Sequence, residues 1–172
     1  MKKSFAMSVL AAAVLMTSAT SAFAAGDTGI VNFKGSVIDT PCYLATASEE
    51  QTVDLGVVST GQLDAEGEGT AKPFNVQLLG CNTATLKTVA FEFHGQSGDA
   101  TDTALLTGGE AKGIAVAMMK DGAPIKLGEA IADIDLQDGT NDIGFEAKVV
   151  KGVDDVVPGD YTATTDFKLT YN

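Results

Sequence analysis

The chain reads as all-β, an antiparallel sandwich, on three grounds. Apolar residues recur at every second position in one segment after another, Gly-containing pairs separate the segments, and no stretch combines helical periodicity with capping residues. Successive side chains of a strand point to opposite faces, so a two-residue period marks a half-buried strand and not a helix.

Gly29, Val31 and Phe33 open the alternation. Phe74, Val76 and Leu78 form the next phase, followed by Val89, Phe91 and Phe93 with Glu92 and His94 on the polar side. Ile114, Val116 and Met118 come next, then Ile143, Phe145, Ala147 and Val149 against Glu146 and Lys148. The last run is the longest: Tyr161, Ala163, Thr165, Phe167, Leu169 and Tyr171 share one face, which predicts a single strand over 161–171. Gly108-Gly109, Asp121-Gly122, Asp138-Gly139 and Pro158-Gly159 suit tight reversals, because Gly adopts positive φ without steric cost. Residues 60–70, rich in Gly and acids, read as an exposed loop. No internal repeat or linker divides the chain after Ala25.

The 172 residues suit one domain. They carry 11 basic residues, all Lys, against 23 acids, for a net charge of −12. Nucleic acid is not an expected partner, since its phosphates need a basic patch. A single histidine, His94, removes multi-His zinc and copper chemistry.

Residues 1–24 have the form of a secretory signal peptide: Lys2 and Lys3, a short apolar run from Phe5 to Leu15, and Ala22-Phe23-Ala24 before the cleavage point. Loss of Lys2 and Lys3 would take the net charge from −12 to −14. In an oxidising compartment Cys42 and Cys81 are expected to join. The loop they close is worth roughly 4 kcal/mol by chain entropy. A reactive dithiol usually places its cysteines closer together, as in C-x-x-C.

Chemistry-bearing constellations fail on spacing. Asp133, Asp135, Asp138, Asn141 and Asp142 suggest a calcium loop, but Asp138 stands where an EF-hand needs Gly, and Gly144 where it needs an acid. Glu49-Glu50 and Asp154-Asp155 are adjacent pairs that would point apart on a strand. No Ser has a Gly-x-Ser-x-Gly context and no phosphate loop is present. No catalytic residue, metal or cofactor is expected, and the chain is not expected to be an enzyme.

The segments around the cysteines and at both ends carry a resemblance. Phe33-Lys34-Gly35-x-Val37-Ile38-Asp39-x-Pro41-Cys42 is followed by Gln51-Thr52-Val53-Asp54-Leu55-Gly56 and by Leu79-Gly80-Cys81. Pro158-Gly159-Asp160-Tyr161 and Phe167-x-Leu169-x-Tyr171-Asn172 close the chain. Over most of residues 25 to 172 this resembles the major structural pilins of chaperone–usher fimbriae, of the type 1, P and MR/P kind.

The resemblance implies an incomplete immunoglobulin-like antiparallel β-sandwich, completed by a donor strand from the neighbouring subunit. Residues 25–35 would be the N-terminal donor-strand extension, with Gly29, Val31 and Phe33 facing the neighbour's groove, and residues 36–172 the pilin domain. Gly159, Tyr161, Phe167, Leu169 and Tyr171 would form the groove strand and the chaperone contact. The implied partners are identical subunits in a head-to-tail polymer, a periplasmic chaperone and an outer-membrane usher. The implied location is a fimbrium on the cell surface that supports bacterial adhesion, reached through the periplasm. A minor or adaptor pilin is the alternative within the family. A self-contained secreted immunoglobulin-like binding module and a small secreted all-β enzyme are the alternatives outside it.

Overall fold

The computed structural model describes residues 29–35, 37 and 40–172, with the backbone alone at 132 and 133. The expected signal peptide and residues 25–28 of the expected extension lie outside the described residues. The chain divides into two units, Met1–Val37 and Ile38–Asn172. In the first, Ile30, Val31 and Phe33 are exposed and residues 29–35 form no strand.

The second unit begins with β1 (Tyr43–Leu44), the single turn α1 (Thr46–Glu49) and α2 (Thr60–Glu66). The strands β2 (Lys72–Cys81), β3 (Thr88–His94), β4 (Ala104–Leu106), β5 (Gly108–Gly109) and β6 (Ile114–Lys120) follow. The chain then forms β7 (Ala123–Pro124), β8 (Ala130–Asp135), β9 (Gly139–Lys151), β10 (Tyr161–Thr162) and β11 (Asp166–Tyr171). One sheet has the order β1-β2-β9-β6-β4, with β7 paired to β6. A second has the order β11-β3-β8, and β10 pairs with β5 alone. All the pairings are antiparallel.

The alternating phases become the core. Val76 and Leu78 of β2, Ile143 and Phe145 of β9, and Val116 and Met118 of β6 are buried against Val89, Phe91 and Phe93 of β3. Phe145 is the hinge of the two faces. Its ring lies 5.2 Å from both Phe91 and Phe93 in edge-on geometry and stacks on Phe74 at 5.5 Å, arrangements that suit the ring quadrupoles. The disulfide between Cys42 and Cys81 ties the segment entering β1 to the end of β2, with both sulfurs' residues buried.

Three expectations need correction. Residues 60–66 are helical, not loop: the Ser59 hydroxyl accepts from the Gln62 N–H at 3.1 Å, and Gly67, at φ 78°, ends the helix by donating to the Leu63 carbonyl. Leu63 anchors the helix at 3 % exposure beside Ala111, Ile114 and Val149. The run 161–171 is two strands in two sheets. Burial alternates without interruption, but pairing breaks over 163–165, where the Thr165 hydroxyl donates to the His94 carbonyl at 2.8 Å. Gly108-Gly109 is a strand and not a reversal, since it pairs with Tyr161 and Thr162. Asp121-Gly122 does form the expected turn, at φ 51° and 80°, between β6 and β7.

Three of the residues weighed as calcium ligands, Asp138, Asn141 and Asp142, have structural partners. Asp142 accepts from the Gln77 side chain at 2.8 Å. Asp138 accepts from the Thr83 N–H and hydroxyl at 2.8 and 2.9 Å, contacts that lower its carboxyl pKa. Asn141 bridges both backbone groups of Gln137. Asp99 organises the turn before β4 in the same way. Burial pushes its carboxyl up, but this is outweighed by the Thr101 and Thr103 hydroxyls and the Thr103 and Ala104 N–H groups, which hold it well below its ordinary 3.8. A lowered folded pKa adds stability above the unfolded value and loses it as pH falls. The melting-temperature gap between the wild type and Asp99→Asn is therefore expected to be constant at neutral pH and to close below about pH 4 in an acid titration.

Candidate functional site

The site is the outer edge of β11. Residues 166–171 pair with β3 in unbroken register, from Asp166↔His94 to Tyr171↔Val89. Asn172 and Thr88 exchange both backbone hydrogen bonds at 3.0 Å. In an antiparallel ladder hydrogen-bonded and non-hydrogen-bonded pairs alternate. Phe167, Leu169 and Tyr171 are therefore non-hydrogen-bonded with β3, and their N–H and C=O groups point away from it, toward the open edge.

The same three residues carry the inward side chains. On β3, opposite, Val89 and Phe91 are fully buried and Phe93 nearly so, whereas Phe167, Leu169 and Tyr171 are only half-buried. Phe167 sits 5.9 Å from Phe91 and 5.8 Å from Phe93. The Tyr171 phenol, raised above its ordinary 10.0 by burial, belongs to the same rim. Among the described residues these outward backbone groups have no partner. Core-type side chains on such a strand form an interrupted sandwich whose edge is a template for another strand.

Other edges of the two main sheets are blunted. β8 carries a register shift opposite Val89–Phe91, a bulge that interrupts its ladder. β4 is three residues long and is covered by Gly98 and Gln96, which bond Ala104 and Leu106 at 2.8 and 2.7 Å. β1 has two residues. Among the described residues, β11 alone offers a long regular edge.

The five residues expected on the groove strand separate. Phe167, Leu169 and Tyr171 lie together on β11. Tyr161 lies on β10, paired with Gly109, its phenol raised by burial and by the charge of Asp54. Gly159 precedes β10 and packs on the chain at Glu110–Ala111. A Cβ there would stand 2.7 Å from the Ala111 nitrogen and 2.8 Å from the Glu110 Cβ. Gly159 thus permits a close backbone approach that lets the Asp160 carbonyl accept from both Glu110 and Ala111. Gly159→Ala is expected to cost about 1–3 kcal/mol, the usual range for overpacking, as read from the urea midpoint.

In the first unit, Val31 is 74 % and Phe33 91 % exposed. Val37, on the same two-residue phase and fully exposed, was missed as a candidate although the alternation continues to it. What the sequence pattern also lacked was the free backbone of β11, because alternation identifies a face and not a partner.

A family model described as fimbrial protein matches residues 31–172. The chain belongs to the fimbrial protein family.

The pilin is 42% identical over 146 residues to the fimbria A protein of Serratia marcescens, covering 83% of this chain and 84% of the relative. It is 40% identical to the major MR/P fimbria protein of Proteus mirabilis, over 83% of each chain. A solved chaperone–usher pilus, studied for the uncoiling of its rod, contains a chain of similar fold, with 29% identity and a TM-score of 0.71 over 85% of this chain and 96% of that one. The sandwich is accordingly the immunoglobulin-like fold of pilins, and the protein is a structural pilus subunit exported to the cell surface.

Proposed function

We propose that this pilin polymerises by donor-strand exchange, the extension of one subunit adding a strand to the open edge of β11 in the next. The observation that carries the reading is the coincidence, on Phe167, Leu169 and Tyr171, of unpaired backbone groups with half-buried inward side chains. Strand addition to a sheet edge is a general recognition mode, of which pilin complementation is a known instance. It satisfies the backbone through hydrogen bonds and gains specificity from alternate side chains.

Gly29, Val31 and Phe33 supply the matching period, and Val37 extends it. Each apolar side chain that passes from solvent into such a groove contributes about 1.5–3 kcal/mol by transfer. Before assembly, a periplasmic chaperone covers the same edge through Phe167, Leu169 and Tyr171, and an outer-membrane usher hosts the exchange. Gly159 and Tyr161 support the groove from outside β11. Residues 25–35 with Val37 serve as donor and the remainder to Asn172 as acceptor domain. The role is structural and not catalytic, and the contact, being head to tail and non-closing, generates a filament.

Deleting residues 25–33 tests the reading. The shortened chain is expected to accumulate in the periplasm bound to its chaperone and to form no filaments by electron microscopy. Normal filaments from that deletion would end the donor assignment.

A further inference from the structure

Asp166 stands at the start of the open strand, on its outer face, directly across from His94 of β3. The His94 ring is turned to Glu92, 3.4 Å away, and Asp166 takes part in no ion pair among the described residues. Two residues on, Lys168 faces Glu92 in the same ladder. The outer face of β11 thus presents an acid, a base and Thr170 in sequence. Between Gly29 and Gly35, Lys34 is the one charged residue, next to Phe33.

Resting on the donor-strand reading above, we propose that Lys34 of the incoming subunit pairs with Asp166 and so sets the direction and register of insertion. An antiparallel donor that seats Phe33 opposite Phe167 also places Val31 opposite Leu169 and Gly29 opposite Tyr171. That alignment puts Lys34 directly across from Asp166, Asn32 across from Lys168 and Ile30 across from Thr170. A two-residue slip keeps every apolar residue facing inward. In one direction it sets Lys34 against Lys168, where like charges directly opposite are destabilising. In the other it sets Lys34 against the neutral Thr164. A parallel donor matching the same three inward positions brings Lys34 beside Asn172, six residues from Asp166.

The ladder geometry strengthens the effect. Because Phe167, Leu169 and Tyr171 direct their backbone groups to the open edge, they form the hydrogen-bonded pairs with the donor. Asp166 then belongs to the non-hydrogen-bonded set, in which Cα atoms approach to about 4.5 Å and side chains are closest. Period-two burial decides which face is inside; it cannot distinguish registers two residues apart. The charges can.

The test uses the exported chain with residues 25–37 repeated after Asn172 through a flexible linker, so that each molecule fills its own edge. Four forms are compared by thermal melting at low ionic strength: the parent, Lys34→Glu in the appended copy, Asp166→Lys, and both together. Each single reversal is expected to lower the midpoint by about 1–4 °C, and the double reversal to recover more than half of the summed loss. The recovery should shrink in about 0.5 M salt, which screens exposed charges over a few ångströms. Losses that simply add, or no loss from either reversal, overturn the pairing while leaving donor insertion intact. An appended segment that fails to raise the parent's melting temperature removes the donor reading itself.

Discussion

Appending residues 25–37 after Asn172 is expected to raise the melting temperature of the pilin by ~10 °C or more. The half-buried Phe167, Leu169 and Tyr171 become covered, their outward backbone groups gain partners, and Val31 and Phe33 leave water. A domain of this size shifts by roughly 3 °C per kcal/mol, so a net gain of about 3–4 kcal/mol suffices. The linker holds the segment at an effective concentration near the millimolar range, which removes the association cost that a free peptide would carry. Substituting Asp for Val31 and Phe33 in the appended copy is the matched control, and it should abolish the rise. A control that keeps the full gain would show that the linker or the added length, and not strand insertion, stabilises the domain.

The second large effect concerns the disulfide. Replacing Cys42 and Cys81 together by Ala is expected to destabilise the domain by roughly 4 kcal/mol, from the entropy of a 40-residue loop. By the same scaling this lowers the melting temperature by about 10 °C. The bond holds the segment before β1 to the bulged end of β2, where the register shifts between Leu78 and Cys81. At that corner β1 pairs through Tyr43 and Leu44, and the Asn82 N–H bonds the Pro41 carbonyl at 2.9 Å, while Ala45 and Ser48 bond Gln77 farther along β2. The loss should therefore show first as faster amide exchange in β1. Uniform exchange across the domain would mean that the bond stabilises globally and not at the corner.

The strands β2 and β9 were legible because their inner phases meet the core, so that period two and burial coincide at Val76 and Phe145. The strands β3 and β6 were legible from the large apolar residues of one phase, although small residues of the other, Ala90, Ala115 and Ala117, are buried too. The helix α2 was not. Seven residues with one buried Leu give no measurable period, and Gly61 and two acids, followed by Gly67, Glu68 and Gly69, look like loop composition. Its signals were the caps: Ser59 with Gln62 three residues later, and a glycine just past the end. The long C-terminal run failed in a different way. Its alternation from Tyr161 to Tyr171 is real, but hydrogen-bond partners are chosen by the chain across the gap, and these change from Gly108–Gly109 to β3 at Thr165. The candidate site was half legible for the same reason. The phase placed the residues of β11 on one face, and the resemblance to pilins implied that this face lines a groove. That they are only half-buried, with their backbone groups unpaired, depends on which strand is missing beside them.

One bulge and two short strands leave a single regular edge on the described domain. Under the proposed exchange, the segment carrying the exposed Val31 and Phe33 is the donor. A subunit with one donor and one acceptor has a valency of two, one of each kind, so its polymer is linear and cannot fork or cross-link through this contact. Growth by the proposed exchange would also have a fixed polarity, with an uncovered β11 at one end and an unused extension at the other. Capping either end with a molecule that carries one half of the contact sets the length of the filament without altering any subunit within it.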